Sequence, residues 1–123
     1  MAGTAGIQTP LNVYFTQTVA GAANNDYTIA RAGVLVDAWC IARAAQLGGT
    51  FQVSRVRAAV ANGVTDAMAA GVDQVVARAG TINDAFYSFA AADSVRFQTV
   101  GVATQIDAVV TLIPPVASSE TVV

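Results

Sequence analysis

The sequence predicts an all-β chain: an antiparallel β-sandwich, a jelly roll of about eight strands, with extended N- and C-terminal arms. Three observations predict it. Apolar and polar residues alternate with period two in segment after segment, which is the mark of a half-buried strand. Gly, Asn and Asp turns punctuate those segments every ten residues or so. About eight strands at that spacing fit the two Greek-key sheets of a jelly roll, which close most of their edges. An immunoglobulin-like sandwich is the runner-up, but Cys40 is the only cysteine, so the Cys, Trp, Cys pattern of that fold is missing.

The elements follow in order. Residues 1–11 read as an arm, because "MAGTAGIQTP" is built of small residues and closed by Pro10. In "NVYFTQTV", residues 12–19, Val13, Phe15 and Val19 share one face, with Tyr14, Thr16 and Thr18 on the other. "GAANN" reads as a turn and "DYTIAR", residues 26–31, as the next strand. From 34 to 43 a small-residue face of Val34, Val36, Ala38, Cys40 and Ala42 opposes Leu35, Asp37, Trp39, Ile41 and Arg43. Both faces are expected to be partly buried, with Trp39 in the core. Alanine here fills space between sheets, since context overrides its helix propensity.

Gly48 and Gly49 supply a tight reversal, after which Phe51, Val53, Arg55 and Arg57 alternate with Thr50, Gln52, Ser54 and Val56. Residues 58–70 leave room for one short helical turn. Strands are then expected at 73–79, 84–90, 94–101 and 104–113, which makes 12–113 the body of a single domain. The segment "PPVASSETVV", residues 114–123, is a second arm, started on an extended path by Pro114 and Pro115.

Composition bears on function. Hydrophobic residues make up 54% of the chain and charged residues only 11%, against about 25% in ordinary globular proteins. So little charge leaves apolar surface for a partner, and an oligomer or lattice component is expected over a monomer packed from small side chains. The net charge is -2, and six arginines are the only cations. Without a basic stripe, no nucleic acid is expected as a partner. Arg55 and Arg57 share a strand face, which reads as a solvated edge or a salt-bridge site. The first residues lack the features of a signal peptide and no apolar run reaches spanning length, so synthesis in a cytoplasm and no membrane partner are expected.

The chain has no histidine. That removes Ser-His-Asp and Cys-His catalysis, most zinc sites and the usual base near neutral pH. "LGGT" lacks the lysine and the spaced glycines of a phosphate loop, and the turn aspartates lack calcium-loop spacing. Asp37, Asp84 and Asp93 are the carboxylates a glycosidase would draw on, but Asp84 and Asp93 sit where turns use aspartate for backbone hydrogen bonds. The expectation is a protein that is not an enzyme and takes no cofactor or metal. Cys40, in the apolar run "AWCIA", is expected to be a buried thiol.

The run "TINDAFYSFAAADSVRFQTVGVATQIDAVVTLIP", residues 81–114, resembles the C-terminal half of small jelly-roll proteins of tailed bacteriophages, where an A-x-D-x-[VL]-R turn precedes the last strands. Residues 33–56 resemble the paired central strands of the same group. The resemblance implies a head decoration, or cement, protein: a homo-oligomer, with a trimer favoured over a dimer, that binds the major capsid protein on the outer surface of the virion capsid after synthesis in the bacterial host. The family shares no catalytic residues. Contacts to the shell or between subunits are expected on the arms, at Ile7, Pro10, Leu11, Pro114 and Pro115, since an extended arm of ten residues reaches roughly 33–36 Å. Two other readings stay open. One is a carbohydrate- or receptor-binding sandwich of a phage tail, with Tyr14, Tyr27, Trp39 and Tyr87 as candidate sugar platforms. The other is a head-tail connector or tail subunit.

Overall fold

The computed structural model describes residues 9–18, 21–43, 49–69, 75–102 and 105–115. No helix occurs among them. Ten strands form two antiparallel sheets: β1 (Leu11–Gln17), β2 (Gly21–Thr28), β3 (Gly33–Ala42), β4 (Thr50–Arg57), β5 (Val60–Gly63), β6 (Met68–Ala69), β7 (Val76–Arg78), β8 (Ser88–Phe89), β9 (Ser94–Val102) and β10 (Ile106–Ile113). The first sheet runs β1-β10-β3-β7 with β8 also on β3; the second runs β2-β9-β4-β5 with β6 also on β4. Since β5 and β6 share one neighbour, and β7 and β8 another, the ten strands fill eight positions. The order is that of a jelly roll.

The core lies between the sheets. Phe15 of the first sheet stacks on Phe97 of the second with ring centroids 5.0 Å apart, and on Phe51 at 6.0 Å. Leu35, Ala38, Cys40, Val53, Val95, Ile106, Val110 and Leu112 fill the space around them. The buried polar groups of the core are paired, as burial requires, while at its margin Arg55 Nε is buried without a hydrogen-bond partner. Thr99 donates to Gln17 Oε1 at 2.6 Å and accepts the Ala23 N–H at 3.2 Å. Thr65 Oγ1 accepts the Val53 N–H at 3.0 Å.

Five expectations are corrected. "GAANN" is not a turn but most of β2, and "DYTIAR" leaves the strand after Thr28. The alternation of β3 breaks at Val36: Asp37 pairs Thr111 and Leu35 pairs Leu112, which leaves Val36 as the extra residue of a β-bulge. Leu35 therefore faces the core together with Ala38, Cys40 and Ala42, and Trp39 faces outward, half-buried. Residues 58–70 carry no helical turn, because Ala58 and Ala59 (φ 50° and 65°) form a two-residue hairpin turn between Arg57 and Val60. Leu11 belongs to the body, as the first residue of β1 paired with Leu112. The strand expected over 84–90 shrinks to Ser88–Phe89, since Phe86 N–H bonds Asn83 O in a turn.

Candidate interaction surface

The outer faces of the two sheets differ. On the second sheet, Asn24, Gln98 and Gln52 lie in one row across the strands, and Asp26, Arg96 and Ser54 in the next. Those two rows are polar, while Val100, 53% exposed, and Val56 stand at opposite ends of the same face. On the first sheet the register sets Tyr14 beside Val109, Val109 beside Trp39 and Trp39 beside Arg78. The adjoining row holds Thr16, Asp107, Ile41 and Val76. Tyr14 and Trp39 are thus two strand spacings apart, about 9–10 Å, across Val109. Tyr14 is 73% exposed, Val76 46% and the bulged Val36 43%.

Ion pairs bracket this apolar strip. Arg78 bonds Asp37 on one side, and Arg43 bonds Asp107 on the other. Thr16 Oγ1 also donates to Asp107 at 2.9 Å, and Thr111 Oγ1 donates to Asn12 Oδ1 at 2.7 Å. An apolar centre with a polar, charge-paired rim is how protein-binding patches are built. Sequence alone could not assemble it, because Tyr14, Trp39, Val76 and Val109 come from four strands.

The residues expected on the arms are partly brought together. Pairing of Leu11 with Leu112 puts Pro10 and Pro114 at the same end of the first sheet. Leu11, Arg31, Gly33, Leu112, Ile113 and Pro114 line a shallow hollow there, and Arg31 donates to Thr9 O. Pro115 follows Pro114, exposed; Ile7 lies outside the described residues. Ile113 pairs with Val34, both half-buried on the outer face, and the polar row of Asn12, Thr111 and Asp37 separates them from the apolar strip.

The other chemical groups are committed to structure. Of Arg55 and Arg57, only Arg57 forms a salt bridge, to Asp93, whereas Arg55 donates to Ser88 O at 3.0 Å and lies 5.3 Å from the Phe86 ring centroid. Arg96 binds Asp26 at 2.8 Å. All six arginines are therefore engaged within the chain. Asp93 caps its turn as expected, whereas at the neighbouring turn Asn83 rather than Asp84 accepts a backbone N–H, from Ala85 at 3.0 Å. Cys40 is fully buried, and burial pushes its thiol up to about 11. Among the described residues no cluster of His, Cys, Asp and Glu is arranged to hold a metal ion. Of the sugar-platform candidates, Tyr14 and Trp39 share the apolar strip, Tyr27 lies on β2, and Tyr87 packs against the core.

The fold and this face define a jelly-roll sandwich whose first sheet carries an apolar strip on its outer side. In comparisons with known proteins, the chain matches no family model, no curated protein and no solved structure at a significant level.

Proposed function

We propose that the chain is a non-enzymatic virion protein, a decoration or cement protein that binds the major capsid protein on the outside of a phage head. The observation that carries this reading is the outer face of the first sheet, an apolar strip through Tyr14, Val109, Trp39 and Ile41 rimmed by the Arg78–Asp37 and Arg43–Asp107 pairs. The corner with Pro10 and Pro114 lies at one end of the same sheet, beyond the row of Asn12, Thr111 and Asp37. Four of the six arginines are ion-paired within the chain, which supports a partner recognised by apolar contact more than by charge.

The test is add-back of purified protein to heads that lack it. Binding near stoichiometry with the coat protein is expected. Tyr14→Ser and deletion of residues 1–9 should each weaken it while leaving the fold intact. Heads that bind neither the full chain nor its variants would overturn the reading. One observation favours a second reading: Tyr14 and Trp39 stand about 9–10 Å apart beside Asn12 and Asp37, a layout that also suits stacking on sugar rings. Saturable glycan binding lost in Tyr14→Ser, without head binding, would select it.

A further inference from the structure

The second sheet ends at β2, which has β9 as its one neighbour among the described residues. All its residues except Ala23 are exposed. A long exposed edge is ordinarily blunted by Pro, Lys or inward charge, because its free N–H and C=O groups template further pairing. The sequence GAANNDYT has no Pro and no cation. Its one charge, Asp26, is neutralised by two hydrogen bonds from Arg96, at 2.8 and 3.0 Å.

The backbone directions of this edge are fixed. Ala23 N–H points to Thr99 Oγ1, and Ile29 bonds the turn that leads into β9 through both N–H to Asp93 O and C=O to Ala92 N–H, each at 2.9 Å. Register is continuous from Ala23 to Thr28. Since antiparallel residues alternate in the side to which their backbone groups point, Ala23, Asn25 and Tyr27 face β9 while Asn24 and Asp26 present theirs outward.

The geometry points to a second copy of this chain as the occupant, joined edge to edge through antiparallel β2 strands about a two-fold axis at Asn25. In that register Asn24 meets Asp26 of the second copy and Asp26 meets its Asn24, so outward groups meet outward groups and exchange about four hydrogen bonds. Side chains agree. Tyr27, 48% exposed, lies over Ala23 of the other copy, the amide of Asn24 meets the carboxylate of Asp26, and the two Asn25 amides meet on the axis. The pairing is isologous and closes at two. It goes beyond the shell-binding reading, uses the opposite sheet, and stands or falls separately from it.

Sedimentation equilibrium of the full chain from micromolar to millimolar concentration tests it. A monomer–dimer equilibrium is expected, weakened at least tenfold by Asn25→Lys, which sets two lysines face to face across the axis. The Asn25→Lys chain should keep the circular dichroism and melting of the parent, because the position is exposed. Under mild oxidation Asn25→Cys should cross-link two copies much faster than Asn24→Cys, which the register offsets, while buried Cys40 stays out of the reaction. A mass of three chains, a monomer throughout, or equal cross-linking at both positions would overturn the proposal. So would concentration-independent protection of the Asn24 and Asp26 amides from hydrogen exchange, which would mean that the chain covers its own edge.

Discussion

Arg57 grips Asp93 through both carboxylate oxygens, with Nε 3.0 Å from each and Nη2 2.6 Å from Oδ2, while Oδ2 also accepts the Ala90 N–H at 2.8 Å. One buried carboxylate thereby ties the end of β4 to the turn that launches β9. Asp93→Ala leaves the turn amide uncapped and Arg57 without its carboxylate partner. We expect a loss on the order of 2–3 kcal/mol in urea unfolding, the scale for hydrogen bonds to a charged group. A loss under about 0.5 kcal/mol, the range of ordinary surface changes, would show that the turn holds without its clasp.

The same contact sets a pH dependence. Hydrogen bonds from Arg57 hold Asp93 below the usual carboxylate range, and those from Arg96 do the same for Asp26. A carboxyl depressed by folding stabilises above its unfolded value of about 3.9, and that contribution is lost as pH falls through the lower folded value. With no histidine in the chain, stability should be level between about pH 5 and 7 and fall only below about pH 4. Asp93→Asn should shallow that acid limb. A melting temperature that drifts between pH 5 and 7 would contradict the assignment.

Ala58 and Ala59 hold φ of 50° and 65° in the two-residue turn between β4 and β5. Left-handed backbone costs an L-residue with a Cβ roughly 1–2 kcal/mol. Asn-Gly is the pair such a turn prefers. The double change Ala58→Asn, Ala59→Gly should therefore stabilise the protein by about 1 kcal/mol or more, read as a raised urea midpoint at unchanged m-value. A lowered midpoint would mean that the turn is not of this type.

Tyr14 and Phe15 are neighbours in β1 with opposite fates, one on the outer face and one stacked between Phe51 and Phe97. Phe15→Ala should cost about 3–5 kcal/mol, the range for an aromatic removed from a core. Tyr14→Ser should stay within about 0.5 kcal/mol. Equal effects at the two positions would mean that the strand does not separate an inside from an outside.

Cys40 lies on the core side of β3 with its thiol pushed up to about 11 by burial. The thiolate is the reactive form. Disulfide reagents at pH 8 should leave the native protein unmodified and label it only at the rate of unfolding. Rapid stoichiometric labelling without denaturant would place the thiol at the surface.

What the sequence determined by itself is the part written in alternation. Val13 and Phe15 turn inward and Tyr14 and Thr16 outward in β1, and β9 and β10 follow their apolar periods almost residue for residue, because each has one face sealed against the core. The carboxylate role of Asp93 and the burial of Cys40 were legible for the same local reasons. Tertiary structure alone decided the rest. "GAANN" looks like a turn because an edge strand with little buried surface has no alternation to display, and only its register with β9 makes it a strand. The bulge at Val36 is set by the partner β10, and it sends Leu35 inward and leaves Trp39 outside. Alanines at 58 and 59 carry no turn signature; closure of the β4–β5 hairpin imposes their backbone. The candidate surface belongs with these. Tyr14, Trp39, Val76 and Val109 are scattered through the chain and become one face only when four strands pair, since register, which is a property of pairs, decides which side chains meet.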